Sequence, residues 1–358
     1  IQSQRCNMKA QVLNKYDDDL TASSWVDMEN VPDPKIEKSS DVIVRIGGAG
    51  VCRTDLHIIE GVWRVATDPT GTGLLPLIMG HENAGWVEEI GSEVEGLKVG
   101  DPVIVHPKIT GGTCIACRRG HDMHGENGSF PGVDCNGGYA EALKTSVRNI
   151  VKLPQTLIPK EVAAYSDAGL TAYRAAKKAS RHLLPGETCV VIGSGGLGHI
   201  AIQVLRAMCA ADIIVVDPSD LALSLAESCG VDGLVKADGN EVAKVLELTK
   251  GRGAEAVLDF VAERGTTSKG LAMTRDMGSY YVIGYGEDIN VSAFEMVTTE
   301  KNIIGNLVGT WAELTELMSL ADKGKVHLAT QEYSLANANQ ALQDLNNGKI
   351  KGRAVLVP

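Results

Sequence analysis

Thr188-Cys189-Val190-Val191-Ile192-Gly193-Ser194-Gly195-Gly196-Leu197-Gly198 is the stretch whose reading decides the architecture. Residues 189–192 are continuously apolar, the pattern of a strand buried on both faces in a parallel sheet. The glycines that follow fit G-x-G-x-x-G between a strand and a helix expected from 198 to about 209, the context that gives that pattern meaning. Glycine allows the tight turn and lets backbone approach a pyrophosphate, which then sits at the positive end of the helix. Asp217 ends the next apolar run about 20 residues past the last glycine, where an acid takes the ribose hydroxyls and repels a 2′-phosphate. Gly193, Gly195, Gly196, Leu197, Gly198 and Asp217 are therefore read as a dinucleotide site that favours NAD over NADP.

Working outward, strands at 213–216, 233–235, 256–261 and 280–283 alternate with helices at 219–229, 241–249 and 264–274. Alternation of this kind builds an α/β, doubly wound parallel sheet. Upstream the pattern changes to short strands, 41–46, 85–90 and 102–105, broken by Pro32, Pro34 and Gly47-Gly48, which predicts an irregular β-rich domain. Downstream of 301 there remain a helix near 311–321 and a strand at 353–357, expected to return to that first domain. The expected division is 1–166 for the first part of the β-rich domain, 167–301 for the dinucleotide domain and 302–358 for the return. Met8-Lys9-Ala10 reads as a natural start, with residues 1–7 a leader or a cloning remnant.

Composition limits what such a chain can do. Its 358 residues suit two domains, and 44% hydrophobic against 22% charged residues is a globular balance. A formal net charge of −11 with no long Lys/Arg block argues against a nucleic-acid partner. Apolar runs stay far below the ~18 residues of a membrane span, and 1–7 lack the apolar core of a secretory signal. Eight cysteines are too sparse for a secreted disulfide scaffold, so a cytoplasmic protein is expected, with metal or redox roles for some thiols.

Two stretches are dense in reactive groups: Gly50-Val51-Cys52-Arg53-Thr54-Asp55-Leu56-His57 and Gly80-His81-Glu82-Asn83-Ala84-Gly85. A lone cysteine or histidine is more often an inert buried residue than a ligand. Their order, followed by the glycine loop at 193, closely resembles the medium-chain, zinc-dependent alcohol dehydrogenases from Met8 to Pro358. The resemblance implies that Cys52 and His81 bind a catalytic zinc. The third ligand, usually a cysteine, falls on Asp167 in Tyr165-Ser166-Asp167-Ala168-Gly169-Leu170-Thr171-Ala172-Tyr173, as in the branch, often of bacterial secondary-alcohol enzymes, where Asp replaces it. Three protein ligands leave a fourth position open, as a catalytic zinc requires. Glu82 is implied as a supporting group or transient ligand.

By the same resemblance, the zinc acts as a Lewis acid that lowers the pKa of the alcohol. Thr54 takes the hydroxyl proton and passes it on to His57, whose ordinary pKa suits the outer end of a relay. Arg53, Thr171 and Arg353 match positions that approach the cofactor. The site is expected in the cleft between the domains, the substrate is an alcohol, aldehyde or ketone, and the assembly is a homotetramer.

The resemblance breaks in one place. Members often hold a structural zinc with four close cysteines, but here only Cys114 and Cys117 match, and the outer positions fall on Gly111 and Gly125. Two thiolates do not close a tetrahedral site. One catalytic zinc and no structural zinc is expected, leaving a reduced pair or a Cys114–Cys117 disulfide; the alternative is an improvised site completed by His121 and His124, with Cys135 nearby. Two other functions stay open: a zinc-free enone or quinone reductase of the same superfamily, and a non-catalytic NAD-binding protein.

Overall fold

A computed structural model describes residues 7–67 and 73–358. It contains two compact units, one holding the chain up to Ala168 with Thr310–Asp322 and Leu328–Pro358, the other Gly169–Gly309 with Lys323–His327. The leader expected at 1–7 lies outside the described residues, apart from Asn7, which opens the first strand.

The first unit begins with β1 (Asn7–Leu13), β2 (Asp27–Pro32), β3 (Asp41–Val51), β4 (Leu77–Ile78), β5 (Glu82–Ile90), β6 (Pro102–Val105), β7 (Ala142–Ser146) and β8 (Ile150–Lys152). The second unit carries β9 (Thr188–Ile192), β10 (Asp212–Asp217), β11 (Gly233–Lys236), β12 (Ala254–Asp259), β13 (Thr274–Val282) and β14 (Asn302–Gly305). The chain then supplies β15 (Thr330–Ser334) and β16 (Arg353–Val357) to the first unit.

β3 is the spine of the first unit. It pairs antiparallel with β5, β7 and β16 inside a seven-stranded sheet, while β2, β1 and β4 form a separate three-stranded one. Register, rather than proximity in sequence, brings the reactive stretches together: Gly50 sits opposite Glu82 and Val51 opposite Ala354. Cys52 and His81 each lie one residue beyond a paired position, and Arg353, paired with Thr330, stands one residue past the last β16–β3 pair at the same end of the sheet. Two register shifts in the β3–β5 ladder, at Ile43/Val44 and Ile46/Gly48, are part of that alignment; a one-residue slip would turn every side chain to the other face. Val42, Val44, Leu56, Val87, Val103 and Leu356 form part of the core beneath. Leu56, wholly buried on the helix Arg53–Ile59, anchors the turn that carries Cys52, and truncating it to Ala would cost about 2–5 kcal/mol.

The second unit is a six-stranded, all-parallel sheet in the order β11-β10-β9-β12-β13-β14. Every residue of β9 is buried, which is why it reads as an unbroken apolar run. Strand order reverses between β9 and β12, the switch point outside whose carboxyl ends ligands bind in such sheets. Val190, Ile192, Val216, Val257, Leu271 and Tyr280 make its core. No helix among the described residues is long and apolar enough to cross a membrane.

Candidate metal centre and cofactor loop

Cys52 caps the helix Arg53–Ile59, and its amide donates to Asp55 Oδ2 at 2.7 Å. His81 precedes β5. Asp167 follows the 3-10 turn Ala163–Ser166, and two bonds strap that segment to β5: Asn83 N donates to Ser166 Oγ (3.0 Å) and Ala168 N to Glu82 Oε1 (3.0 Å). Cys52, His81, Glu82 and Asp167 thereby each offer a ligand atom, all within 4.8 Å of one another, the only such group among the described residues.

The electrostatics of this cluster suit a cation. His81 Nε2, Glu82 Oε2 and Asp167 Oδ1 are buried without a hydrogen-bond partner, a state that native proteins seldom leave uncompensated. Burial alone would push His81 toward neutrality, but Asp55 and Asp167 outweigh it and hold its pKa well above the ordinary value. Glu82 moves up because it is desolvated, against the pull of Arg353, whose Nη2 donates to Glu82 Oε1 at 2.5 Å. A thiol, an imidazole and carboxylates in one buried pocket suit zinc in both number and softness. A Cβ on Gly50 would lie 2.0 Å from Glu82 Oε2, so the glycine opposite Glu82 is what admits that carboxylate.

Asp55 is the group the sequence left without a role. Its Oδ2 accepts from Cys52 N and from the Tyr139 hydroxyl (2.9 Å), while Oδ1 lies 3.3 Å from His81 Nδ1. That leaves Nε2, 3.5 Å from Asp167 Oδ2, as the histidine's ligand face, an arrangement in which a carboxylate behind the ring fixes tautomer and orientation. Tyr139, wholly buried, was also unread; burial and the nearby Asp55 carboxylate keep its hydroxyl protonated. Phe130 packs edge-on against the His81 ring, centroids 5.9 Å apart.

Thr54 and His57 lie on the same helix as Arg53, Thr54 half-buried, His57 only 9% exposed and Arg53 exposed. Arg353 opens β16 and is buried, its guanidinium directed at Glu82. In the second unit, Thr171 is buried and its carbonyl accepts from Asn306 Nδ2.

The glycine loop lies between β9 and the helix Gly198–Met208. Gly193 has φ +83, and a Cβ on Gly198 would meet the Gly193 carbonyl oxygen at 1.9 Å, whereas one on Gly195 would meet nothing within 4 Å. The loop is therefore closed on its inner side and open at Gly195, a cradle for a phosphate. Asp217 ends β10, its Oδ2 accepting from Ser194 N (2.8 Å) and its Oδ1 from Ser219 N (2.8 Å). This holds a carboxylate against the loop, where a ribose would present its hydroxyls.

The lobe around Cys114 is different. Cys114 and Cys117 are free thiols with Sγ atoms 3.2 Å apart, and His121 and His124 are exposed and do not converge with them. Hydrogen bonding from the Cys117 main chain lowers the Cys114 pKa, and burial raises that of Cys117. Cys135 is also a free thiol, its pKa pushed up to about 12 by burial. Asp122 Oδ1 accepts from Thr110 Oγ1 (2.8 Å) and from Arg148 Nε (3.2 Å) and Nη2 (2.7 Å), and Arg148 Nη2 also reaches the Cys117 carbonyl at 3.0 Å.

A doubly wound sheet with an open glycine loop, in a chain that also builds a buried Cys-His-Glu-Asp set at the end of a largely antiparallel sheet, is the arrangement of a metal-dependent dehydrogenase with a dinucleotide cofactor. Residues 38–155 match the alcohol dehydrogenase GroES-like domain, and residues 196–323 match the zinc-binding dehydrogenase domain. The NAD-dependent alcohol dehydrogenase of Sulfurisphaera tokodaii is 38% identical over 337 residues, 92% of this chain and 96% of that protein. The D-arabinose 1-dehydrogenase (NADP(+)) of Saccharolobus solfataricus is 33% identical over 355 residues, 98% and 97% of the two chains. Among solved structures, the alcohol dehydrogenase of the hyperthermophilic archaeon Aeropyrum pernix superposes with a TM-score of 0.92 at 43% identity, covering 98% of this chain and 100% of that one. The chain belongs to the zinc-binding alcohol dehydrogenase family.

Proposed function

We propose that this protein interconverts alcohols with aldehydes or ketones by reversible hydride transfer to NAD, with a single zinc per chain, as a cytoplasmic homotetramer. The observation that carries the reading is the buried cluster of four donor side chains with orphaned ligand atoms, in a chain whose relatives include NAD-dependent alcohol dehydrogenases.

In this reading Cys52, His81 and Asp167 hold the zinc and Glu82 stands by as an exchangeable fourth donor. Zinc, when bound, supplies Lewis-acid polarisation of the substrate oxygen. Asp55 keeps the His81 ring turned toward the ligand position, and Tyr139 keeps Asp55 turned toward the ring. Arg353 balances the charge of Glu82, so that this carboxylate is not a second full negative charge next to Asp167. Thr54 accepts the hydroxyl proton of the substrate and His57 carries it outward. Glycines 193, 195, 196 and 198, with Leu197, receive the pyrophosphate, Arg53 and Thr171 add contacts to the cofactor, and Asp217 selects against a 2′-phosphate. One relative is an NADP(+) enzyme, so the Asp217 carboxylate is the feature on which the NAD preference of this chain rests.

A panel of primary and secondary alcohols, run with NAD and with NADP, tests the reading. NADH formation that stops on chelation and returns with zinc is expected. Activity that survives chelation would instead indicate a zinc-free reductase, and failure with every alcohol a non-catalytic NAD-binding protein.

A further inference from the structure

β12 ends in Asp259, a wholly buried carboxylate that accepts from three donors. Its Oδ1 accepts from Val261 N (2.8 Å) and Ala262 N (2.9 Å), and its Oδ2 from the Tyr280 hydroxyl (2.8 Å) on β13. Its main-chain carbonyl accepts from Ile283 N and Gly284 N, both at 3.0 Å, while Phe260 N donates to Ile192 O at 3.0 Å. Asp259 and the amide of Phe260 beside it thus tie together the carboxyl ends of β9, β12 and β13. Asp259 also bends residues 260–262 into a tight turn, with Ala262 held at φ +47, a conformation a residue with a Cβ adopts only under constraint.

The turn is aimed at the glycine loop. A Cβ on Gly193 would lie 2.7 Å from Val261 Cγ2, and one on Gly284 would lie 2.3 Å from the Val261 carbonyl oxygen. Val261 is therefore wedged between the first glycine of the loop and the end of β13, at the switch point where a dinucleotide binds in such sheets. Packing alone does not call for a carboxylate here, since burying one is costly and an apolar side chain would fill the space. What the carboxylate adds is direction: two amides converge on one oxygen and fix where Val261 stands. We propose that Asp259 is a positioning residue for the cofactor, its carboxylate setting residues 260–262 as the wall that holds NAD against the glycine loop. This rests on the reading that the chain binds NAD.

Fluorescence titration of the full-length, zinc-loaded protein with NADH tests it, beside a zinc count and a thermal melt on every variant. Asp259→Ala is expected to weaken NADH binding at least about tenfold while zinc content stays at the wild-type value, because the metal ligands lie in the other unit. Asp259→Asn, which keeps an accepting oxygen for the two amides, is expected within about threefold of wild type. Asp259→Glu, longer by one methylene, is expected to weaken binding about fivefold or more and carries the test if the alanine variant does not fold. Wild-type affinity in Asp259→Ala, or in Asp259→Glu when that variant carries the test, overturns the proposal, as does an equal loss in the asparagine and alanine variants. A wild-type protein that does not bind NADH overturns instead the reading on which it rests.

Discussion

Around Cys52 and around Cys114 the same unit of the chain builds two thiol-bearing sites whose polar groups meet opposite fates. At Cys52, Arg353 meets Glu82 Oε1, but Glu82 Oε2 and Asp167 Oδ1 are buried without a donor, beside the unpartnered Nε2 of His81. At Cys114 the charge is already present, because Arg148 delivers a guanidinium to the buried Asp122 and to the Cys117 carbonyl. On the proposed reading of one zinc per chain, the difference teaches that cysteine spacing alone does not make a metal site. What makes one is a convergent set of desolvated ligand atoms that keep no hydrogen-bond partner of their own.

The largest expected effect breaks the first site. Cys52→Ser should release the zinc and lower kcat/KM for alcohol oxidation at least ~1,000-fold, read by metal analysis and NADH formation. Asp55→Asn tests the support behind that site: the amide cannot hold the imidazole as a carboxylate does, and zinc affinity in a chelator competition should fall about 10- to 100-fold. At the second site, Arg148→Leu should leave zinc content unchanged and lower unfolding free energy by about 1–2 kcal/mol in urea, the discount reflecting a partly solvated guanidinium. The smallest effect is the pH dependence of that last difference. Burial pushes the Asp122 carboxyl up, but Arg148 and the Thr110 hydroxyl more than reverse this and hold its pKa below the ordinary value. A lowered carboxyl contributes stability that is whole above the unfolded value near about 4 and is lost as pH falls through the folded value. The gap between wild type and Arg148→Leu should accordingly be level from neutral pH to about 5 and close below that. A gap that widens in acid would assign the stabilisation to another group.

Much of this molecule is legible in its sequence, and for local reasons. The run at β9, the glycine loop and Asp217 are signals carried within one short strand–loop–helix–strand stretch, at a spacing that the sequence shows directly. Cys52, His81 and Asp167 were reached through family resemblance, because nothing local says that β3 and β5 pair in a register that sets Gly50 against Glu82. Asp55 stayed without a role for a related reason: its partners Tyr139 and His81 are distant in sequence, and only the folded sheet brings them to it. The Arg148–Asp122 pair left no mark at all, since a surface-like arginine and a turn aspartate carry no periodicity. β15 and the helix Ala338–Asn346 also went unread; β15 is mostly exposed and polar, an edge strand held by β16 rather than by a hydrophobic pattern of its own.

Metal content measured on three proteins tests most directly whether the ion belongs to the Cys52 cluster alone. Wild type should carry one zinc per chain, a Cys114→Ser/Cys117→Ser double variant should also carry one, and Cys52→Ser should carry none. Two zincs per chain in the wild type, or a zinc lost with Cys114 and Cys117 but kept in Cys52→Ser, would contradict it.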